Sequence, residues 1–177
     1  GKEEAARSTF DYAASLATDD TDSLIVLAND AYLFAPYLKT EAFDILEECR
    51  KKDPKNYAFT DMQVALLPGA AIARIKDFLT ENPGDTQALR QLLRCNVGDC
   101  GRFIDAYIIA NGPEALNTDD MPEFMSMLVS SSAYVSLKEL VRRIEDVPTM
   151  QSELFCAYVE ALFATGEYTE VVSAVES

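Results

Sequence analysis

The side chains that most often carry out enzymatic chemistry are either missing from this 177-residue sequence or wrongly spaced for it. There is no histidine, so the usual general base at neutral pH and the Ser-His-Asp and Cys-His arrangements are excluded. The phosphate-binding patterns G-x-x-x-x-G-K-S/T and G-x-G-x-x-G and the nucleophile pattern G-x-S-x-G do not occur either. Carboxylate-pair and lysine chemistry remain formally open, but no motif points to them. We therefore expect a protein that is not an enzyme.

Cysteines are the next candidates, because thiolates bind metals. Of the four, only Cys95 and Cys100 are close in sequence, and their C-x4-C spacing lacks the histidine or second pair typical of a zinc site. Free cysteine packs like a small apolar residue, so we expect Cys49, Cys95, Cys100 and Cys156 to be buried or partly buried thiols in a reducing compartment. We expect no metal, no cofactor and no nucleotide.

The acidic segment TDDTDS resembles the start of a calcium-binding loop. An EF-hand loop needs a glycine at its sixth position and a glutamate at its twelfth, and neither is present when the loop starts at Asp19 or at Asp20. The segment therefore predicts a solvated turn whose aspartates cap the following helix.

The charge of the chain is strongly acidic, with 30 acidic and 15 basic residues and a net charge of −15. From Phe103 onward only Lys138, Arg142 and Arg143 oppose 13 carboxylates. Nucleic-acid binding draws much of its affinity from lysine and arginine that displace counterions, so this composition argues against a nucleic-acid partner. The apolar runs are shorter than the roughly 18 residues that a membrane-spanning helix needs, so we expect no membrane insertion.

Apolar residues recur at helical spacing along the chain, and no stretch alternates long enough to indicate a strand. The pattern predicts an all-α protein of roughly eleven short helices with brief connections. Helices are predicted over residues 3–16, 23–34, 40–52, 70–80, 86–95, 101–110, 122–130, 136–145, 150–165 and 167–175, with a further helix beginning at Thr60. Capping boxes are predicted at Thr60 with Gln63 and at Ser136 with Glu139.

Prolines punctuate these helices at a nearly constant interval. Pro54, Pro83, Pro113 and Pro148 each follow an amphipathic stretch, and they are separated by 29, 30 and 35 residues. A hairpin of two short helices and two turns occupies about 30 to 40 residues, and proline falls where a helix must end. The period therefore predicts a stack of helical hairpins, with residues 1–177 forming a single helical-repeat domain.

The segment NDAYLFAPYLKTEAFDILEECRKKDP resembles a tetratricopeptide repeat, and GAAIARIKDFLTENP and TGEYTEVV resemble parts of further copies. The resemblance implies a right-handed α-solenoid of about five stacked helix-turn-helix repeats. It also implies that small and large apolar residues of the second helices form the core between the hairpins. These residues are Ala42, Leu46, Ala71, Ile75 and Phe78.

In such a solenoid the first helix of each hairpin lines the concave face. The register carried over from the resemblance assigns seven residues of two first helices to that face as partner-binding candidates. They are Asp30, Leu33, Phe34, Glu153, Cys156, Glu160 and Phe163. This set is acidic and aromatic. The first helices carry no basic residue in SLIVLANDAYLF, PEFMSMLVSS or MQSELFCAYVEALF, so a clamp for a partner's terminal carboxylate is not expected.

These features favour a non-enzymatic protein–protein interaction scaffold that binds a partner peptide or helix through a basic and apolar segment. The alternatives are a pentatricopeptide-like RNA-binding module and a structural spacer or oligomerisation segment. The sequence begins at Gly1 without an initiator methionine, so we expect a part of a longer protein with further domains. We expect an intracellular location, in the cytoplasm or, if a targeting segment has been removed, in an organelle.

Overall fold

The computed structural model describes residues 1–53, 56–116, 118–144 and 152–176. These residues form α-helices and two short 3₁₀ segments and contain no strand, which confirms the all-α prediction. The helices are α1 (Lys2–Leu16), α2 (Thr21–Phe34), α3 (Lys39–Lys52), α4 (Tyr57–Leu66), α5 (Pro68–Glu81), α6 (Thr86–Arg94), α7 (Cys100–Asn111), α8 (Met121–Ser130), α9 (Tyr134–Val141), α10 (Ser152–Ala164) and α11 (Tyr168–Glu176). The 3₁₀ segments are Pro36–Leu38 and Pro113–Leu116. Within these ranges no helix combines the length and the hydrophobicity needed to cross a membrane.

The chain divides into two compact units, and their boundary falls within α5. Unit 1 comprises Gly1–Ile75. Its helix α2 contacts α1, α3 and α4, and α3 also contacts α4. Ten buried apolar residues form its core: Phe10, Ala28, Ala31, Leu38, Ala42, Phe43, Leu46, Phe59, Leu66 and Ala71. Helices that follow one another in sequence are therefore packed against each other.

Unit 2 comprises Lys76–Ser177. Here α6 contacts α7, α8 contacts α9, and α10 contacts both α9 and α11. Helices that are separated by one other helix in the sequence also contact each other: α7 packs on α9, and α8 packs on α10. Sequential pairs joined in this way are what the hairpin prediction requires. The prediction of a single domain remains a prediction.

The core positions implied by the repeat pattern are buried in four of five cases. Ala42, Leu46, Ala71 and Ile75 are at most 4% exposed. Phe78 is only partly buried. The prolines agree with the predicted breaks where they can be compared: Pro83 and Pro113 each lie two residues beyond the end of a helix, whereas Pro54 and Pro148 lie outside the described residues.

Both predicted capping boxes are wrong. Helix α4 begins three residues before Thr60, and Gln63 is buried inside it instead of closing its first turn. Helix α9 begins two residues before Ser136, which is also buried. The free backbone N–H groups at the start of α9 are satisfied by a distant residue: Val135 and Ser136 donate to Asn96 Oδ1 at 3.0 and 3.3 Å. The local pattern failed because the cap comes from the turn after α6.

Candidate protein-docking faces

The first candidate face lies on α2, and a side-chain cap fixes where this helix begins. Asp20 precedes the helix and accepts hydrogen bonds from the Ser23 backbone N–H at 3.3 Å and from the Ser23 hydroxyl at 2.6 Å. These bonds lower the pKa of Asp20 below its ordinary value, and the hydroxyl contributes most. The TDDTDS segment is thus a capping turn, as predicted.

One side of α2 is buried in the core of unit 1, and the opposite side is exposed to solvent. Leu24, Ala28 and Ala31 are at most 3% exposed. On the other side, Val26, Leu33 and Phe34 are 60%, 55% and 78% exposed, and Asp30 is also exposed. We call the residues Val26, Asp30, Leu33 and Phe34 the α2 face. Because the opposite side of α2 already packs in the core, these exposed apolar side chains are not needed to hold the helix in the fold.

Helix α10 in unit 2 has the same division. Ala157, Tyr158, Ala161 and Leu162 are at most 9% exposed. The opposite side presents the exposed residues Cys156, Glu160 and Phe163, which are spaced by four and three residues and therefore share one side of the helix. We call these three residues the α10 face.

The α2 and α10 faces repeat one arrangement. Each places a carboxylate four residues after an exposed residue and three residues before an exposed large apolar side chain, as Val26, Asp30 and Leu33 do on α2. The predicted set is thus divided into two faces on different units: Asp30, Leu33 and Phe34 share the first, and Cys156, Glu160 and Phe163 share the second. Glu153 belongs to α10, but its side chain lies outside the described residues.

Two aromatic residues that the sequence did not assign to the site extend the α10 face. Tyr168, which is 59% exposed, meets the 63% exposed Phe163 edge to face, with ring centroids 5.3 Å apart and an interplanar angle of 73°. The Tyr134 hydroxyl donates to Glu160 Oε1 at 3.1 Å. The TGEYTEVV segment that resembles a repeat turn could have suggested Tyr168, whereas Tyr134 is 26 residues from Glu160 and no local pattern joins them.

A glycine turn brings the two rings together. Gly166 has φ of +81°, and its N–H donates to the Phe163 carbonyl at 3.1 Å. The next N–H, of Glu167, donates to the Leu162 carbonyl at 2.9 Å. These two bonds form a Schellman motif, which ends α10 and turns the chain directly into α11. Glycine is favoured here because a side chain strains this left-handed conformation.

The basic residues of α9 and of the turn after it pair with carboxylates on α7, on α11 and in the turn before α11. Lys138 pairs with Glu167, and Arg142 pairs with both Glu167 and Glu170 at 2.6 Å. Hydrogen bonds from Lys138 and then from Arg142 lower the pKa of Glu167 to about 2. Arg143 donates to the Asp105 carboxylate at 2.5 and 3.0 Å. These ion pairs tie α9 to α11 and to α7.

The four cysteines lie in the described ranges and are not joined in disulfides with one another, and they differ in exposure. Cys100 is buried, Cys49 and Cys95 are half-buried, and Cys156 is exposed. The prediction for Cys156 is wrong because α10 turns it away from the core. Burial raises the pKa of the Cys49 and Cys100 thiols. Within the described ranges, no three histidine, cysteine or acidic residues are grouped so that they could hold a metal ion.

Comparison with known proteins yields no relative: no protein-family model, no curated protein and no solved structure matches this chain.

Proposed function

We propose that this chain is a non-enzymatic scaffold that binds a segment of another protein on the exposed faces of its first helices. In this proposal residues 1–177 form one right-handed solenoid of about five tetratricopeptide-like hairpins, and the α2 and α10 faces line its concave surface. The observation that carries the proposal is the exposure of Leu33, Phe34 and Phe163 on helices whose opposite sides fill the core. Large apolar side chains that stay more than half exposed on such helices are typical of interaction surfaces.

The chemistry of the faces favours a partner segment that is both apolar and basic. Each face places a carboxylate, Asp30 or Glu160, one turn from a large apolar side chain. The aromatic and aliphatic groups supply most of the affinity when they are buried by a partner, and the carboxylates guide its approach and set its register. The preferred ligand is therefore a peptide or helix with lysine or arginine next to apolar anchors.

The charges do not favour RNA as the ligand. At least ten of the 15 basic residues pair with carboxylates of the chain itself: Arg7, Arg50, Lys51, Arg74, Lys76, Arg90, Arg102, Lys138, Arg142 and Arg143. A cation in such a pair must give up its carboxylate before it can bind a phosphate, so little of the counterion-release term remains. The lack of a disulfide between the four cysteines fits the proposed intracellular location.

Selection from a display library of random 16-residue peptides on the immobilised full chain tests the proposal. We expect enrichment of peptides that combine lysine or arginine with leucine, phenylalanine or tryptophan. The double variant Leu33→Ser with Phe163→Ser should lose the enriched peptides, whereas the control Ile109→Ser should retain them. Ile109 is 85% exposed on α7 and belongs to neither face, so it is a matched apolar position.

Two results contradict the scaffold proposal. One is the absence of any enriched sequence, which would favour a spacer. The other is enrichment that the Ile109→Ser variant loses and the double variant keeps, since the binding surface would then lie elsewhere.

A further inference from the structure

Four residues at the junction of α9, α10 and α11 form an acidic and aromatic cluster: Tyr134, Glu160, Phe163 and Tyr168, which we call the α10–α11 corner. We infer that this corner binds the guanidinium group of an arginine side chain from the partner protein. The inference rests on the proposed function and specifies the side chain that one face recognises.

The aromatic half of the corner offers ring surface to a cation. Phe163 and Tyr168 meet at 73°, so the edge of one ring meets the face of the other, and both side chains remain more than half exposed. A guanidinium stacks on an exposed ring face through the quadrupole of the ring. Arginine is better suited to this contact than lysine, because its planar group can stack and form hydrogen bonds at the same time.

The carboxylate half holds the hydrogen-bond acceptors. Glu160 lies three residues before Phe163, which places the two side chains next to each other on the helix surface. The Tyr134 hydroxyl donates to Oε1 of Glu160 at 3.1 Å and so restrains the carboxylate. A carboxylate has about four acceptor positions, so one hydrogen bond leaves capacity for the paired N–H groups of a guanidinium.

The negative charge of Glu160 is available because the cations of the neighbouring helix are committed elsewhere. Lys138 pairs with Glu167, Arg142 with Glu167 and Glu170, and Arg143 with Asp105. Each of these cations already holds a carboxylate that it would have to release in order to neutralise Glu160.

The charge of the chain also argues against a second copy as the occupant. Residues 76–177 contain 17 acidic and 7 basic residues. Two copies that met at this corner would bring like charges together, which opposes association. A partner with exposed arginine has the complementary charge.

Titration of the full-length chain with n-butylguanidinium, followed by NMR of ¹³C-labelled tyrosine and phenylalanine rings, tests the inference. We expect the ring signals of Phe163 and Tyr168 to shift with a dissociation constant on the order of 100 mM, as for one exposed cation–ring contact together with one exposed ion pair. The neutral isostere n-butylurea should shift them at least about threefold less, because it lacks the charge. Tyr168→Phe and Phe163→Leu assign the signals.

Glu160→Gln keeps an acceptor for Tyr134 and should weaken n-butylguanidinium binding by about threefold, as expected for an exposed ion pair. The control Glu114→Gln removes an exposed carboxylate of the Pro113–Leu116 segment and should leave binding unchanged.

Three outcomes overturn the inference: no shift with n-butylguanidinium, equal shifts with n-butylurea, or a dimer in sedimentation that the Phe163→Leu variant dissociates. The scaffold proposal fails separately. Enriched peptides without arginine that depend on Phe163 would keep the scaffold and refute the arginine site. A specific response to n-butylguanidinium without any enriched peptide would keep the arginine site and refute the scaffold.

Discussion

Replacing Glu47 by glutamine should destabilise unit 1, because this carboxylate is the centre of a buried ion network. Its side chain is 8% exposed. Arg50 donates to both of its oxygens at 3.0 and 3.1 Å, and Gln63 of α4 donates to Oε2 at 3.1 Å. Arg74 of α5 lies 3.8 Å from Oε1. The network therefore joins α3 to α4 and α5.

The size of the effect follows from what glutamine removes. The variant can still accept the hydrogen bond from Gln63, but it loses the paired, charged hydrogen bonds from Arg50. A hydrogen bond to a charged group contributes about 1.5–3 kcal/mol, and the Arg50 side chain is 16% exposed, so water replaces part of the loss. We expect the free energy of unfolding at pH 7 to fall by about 2 kcal/mol.

Urea denaturation of the full chain, followed by circular dichroism at 222 nm, measures this change. The matched control is Glu48→Gln at the next position of α3. Glu48 is 68% exposed and pairs with Lys51 on the surface, so its loss should cost at most about 0.5 kcal/mol.

The effect of Glu47→Gln should disappear in acid. Burial alone would raise the pKa of Glu47, but the hydrogen bonds from Arg50 and Gln63 and the charges of Arg50 and Arg74 outweigh it and lower the pKa below the ordinary value of 4.5. A lowered pKa means that the carboxylate stabilises the fold fully above the unfolded-state pKa and loses that contribution as the pH falls through the folded-state pKa. The difference between wild type and variant should thus shrink as the pH falls below 4.5 and through the lowered folded-state pKa of Glu47. A difference at pH 7 no larger than that of Glu48→Gln, or one that does not change with pH, would refute the reasoning.

Three further predictions concern other parts of the chain. Gly166→Ala should destabilise unit 2 by about 1 kcal/mol in urea denaturation, because Gly166 has φ of +81°, whereas Gly69→Ala at a helical position with open space should not; equal effects would contradict this. Asn96→Ala should cost about 1–2 kcal/mol through the lost cap of α9, and Asn96→Asp should retain most of the stability; equal losses would contradict the capping role. Filter binding with mixed single-stranded RNA at physiological salt should show no retention, and micromolar affinity with a steep salt dependence would instead favour the RNA-binding alternative.

The helices could be predicted because helix formation depends on short-range periodicity, and the residue spacing also shows which residues share one side of a helix; that these sides bind a partner stays a prediction. The spacing of Asp30, Leu33 and Phe34 sets one side of α2 whatever the rest of the fold does, and the structure leaves this side exposed. The same spacing argument places Cys156, Glu160 and Phe163 on one side of α10, although Cys156 was expected to be buried or partly buried and is exposed. The type of each element and the side of a helix on which a residue lies depend on nearby residues, so the sequence is sufficient to predict both.

The contacts that connect helices could not be predicted, because they join residues far apart in the sequence. Asn96 caps a helix 39 residues later, and Gln63 reaches a carboxylate 16 residues earlier. The sequence around each residue does not indicate which distant group its side chain contacts. The Tyr134–Glu160 hydrogen bond has the same character, so the α10–α11 corner became visible only once the helices were packed.

The most direct test of protein binding through these faces is the rate at which a selected basic and apolar peptide dissociates from the Phe163→Ala variant, measured by surface plasmon resonance. Buried aromatic contacts act mainly on dissociation, so the rate should rise at least about tenfold, while Ile109→Ala, at the matched exposed position on α7, should leave it unchanged. An unchanged dissociation rate for Phe163→Ala, or an equal rise for both variants, would contradict binding at the α10 face.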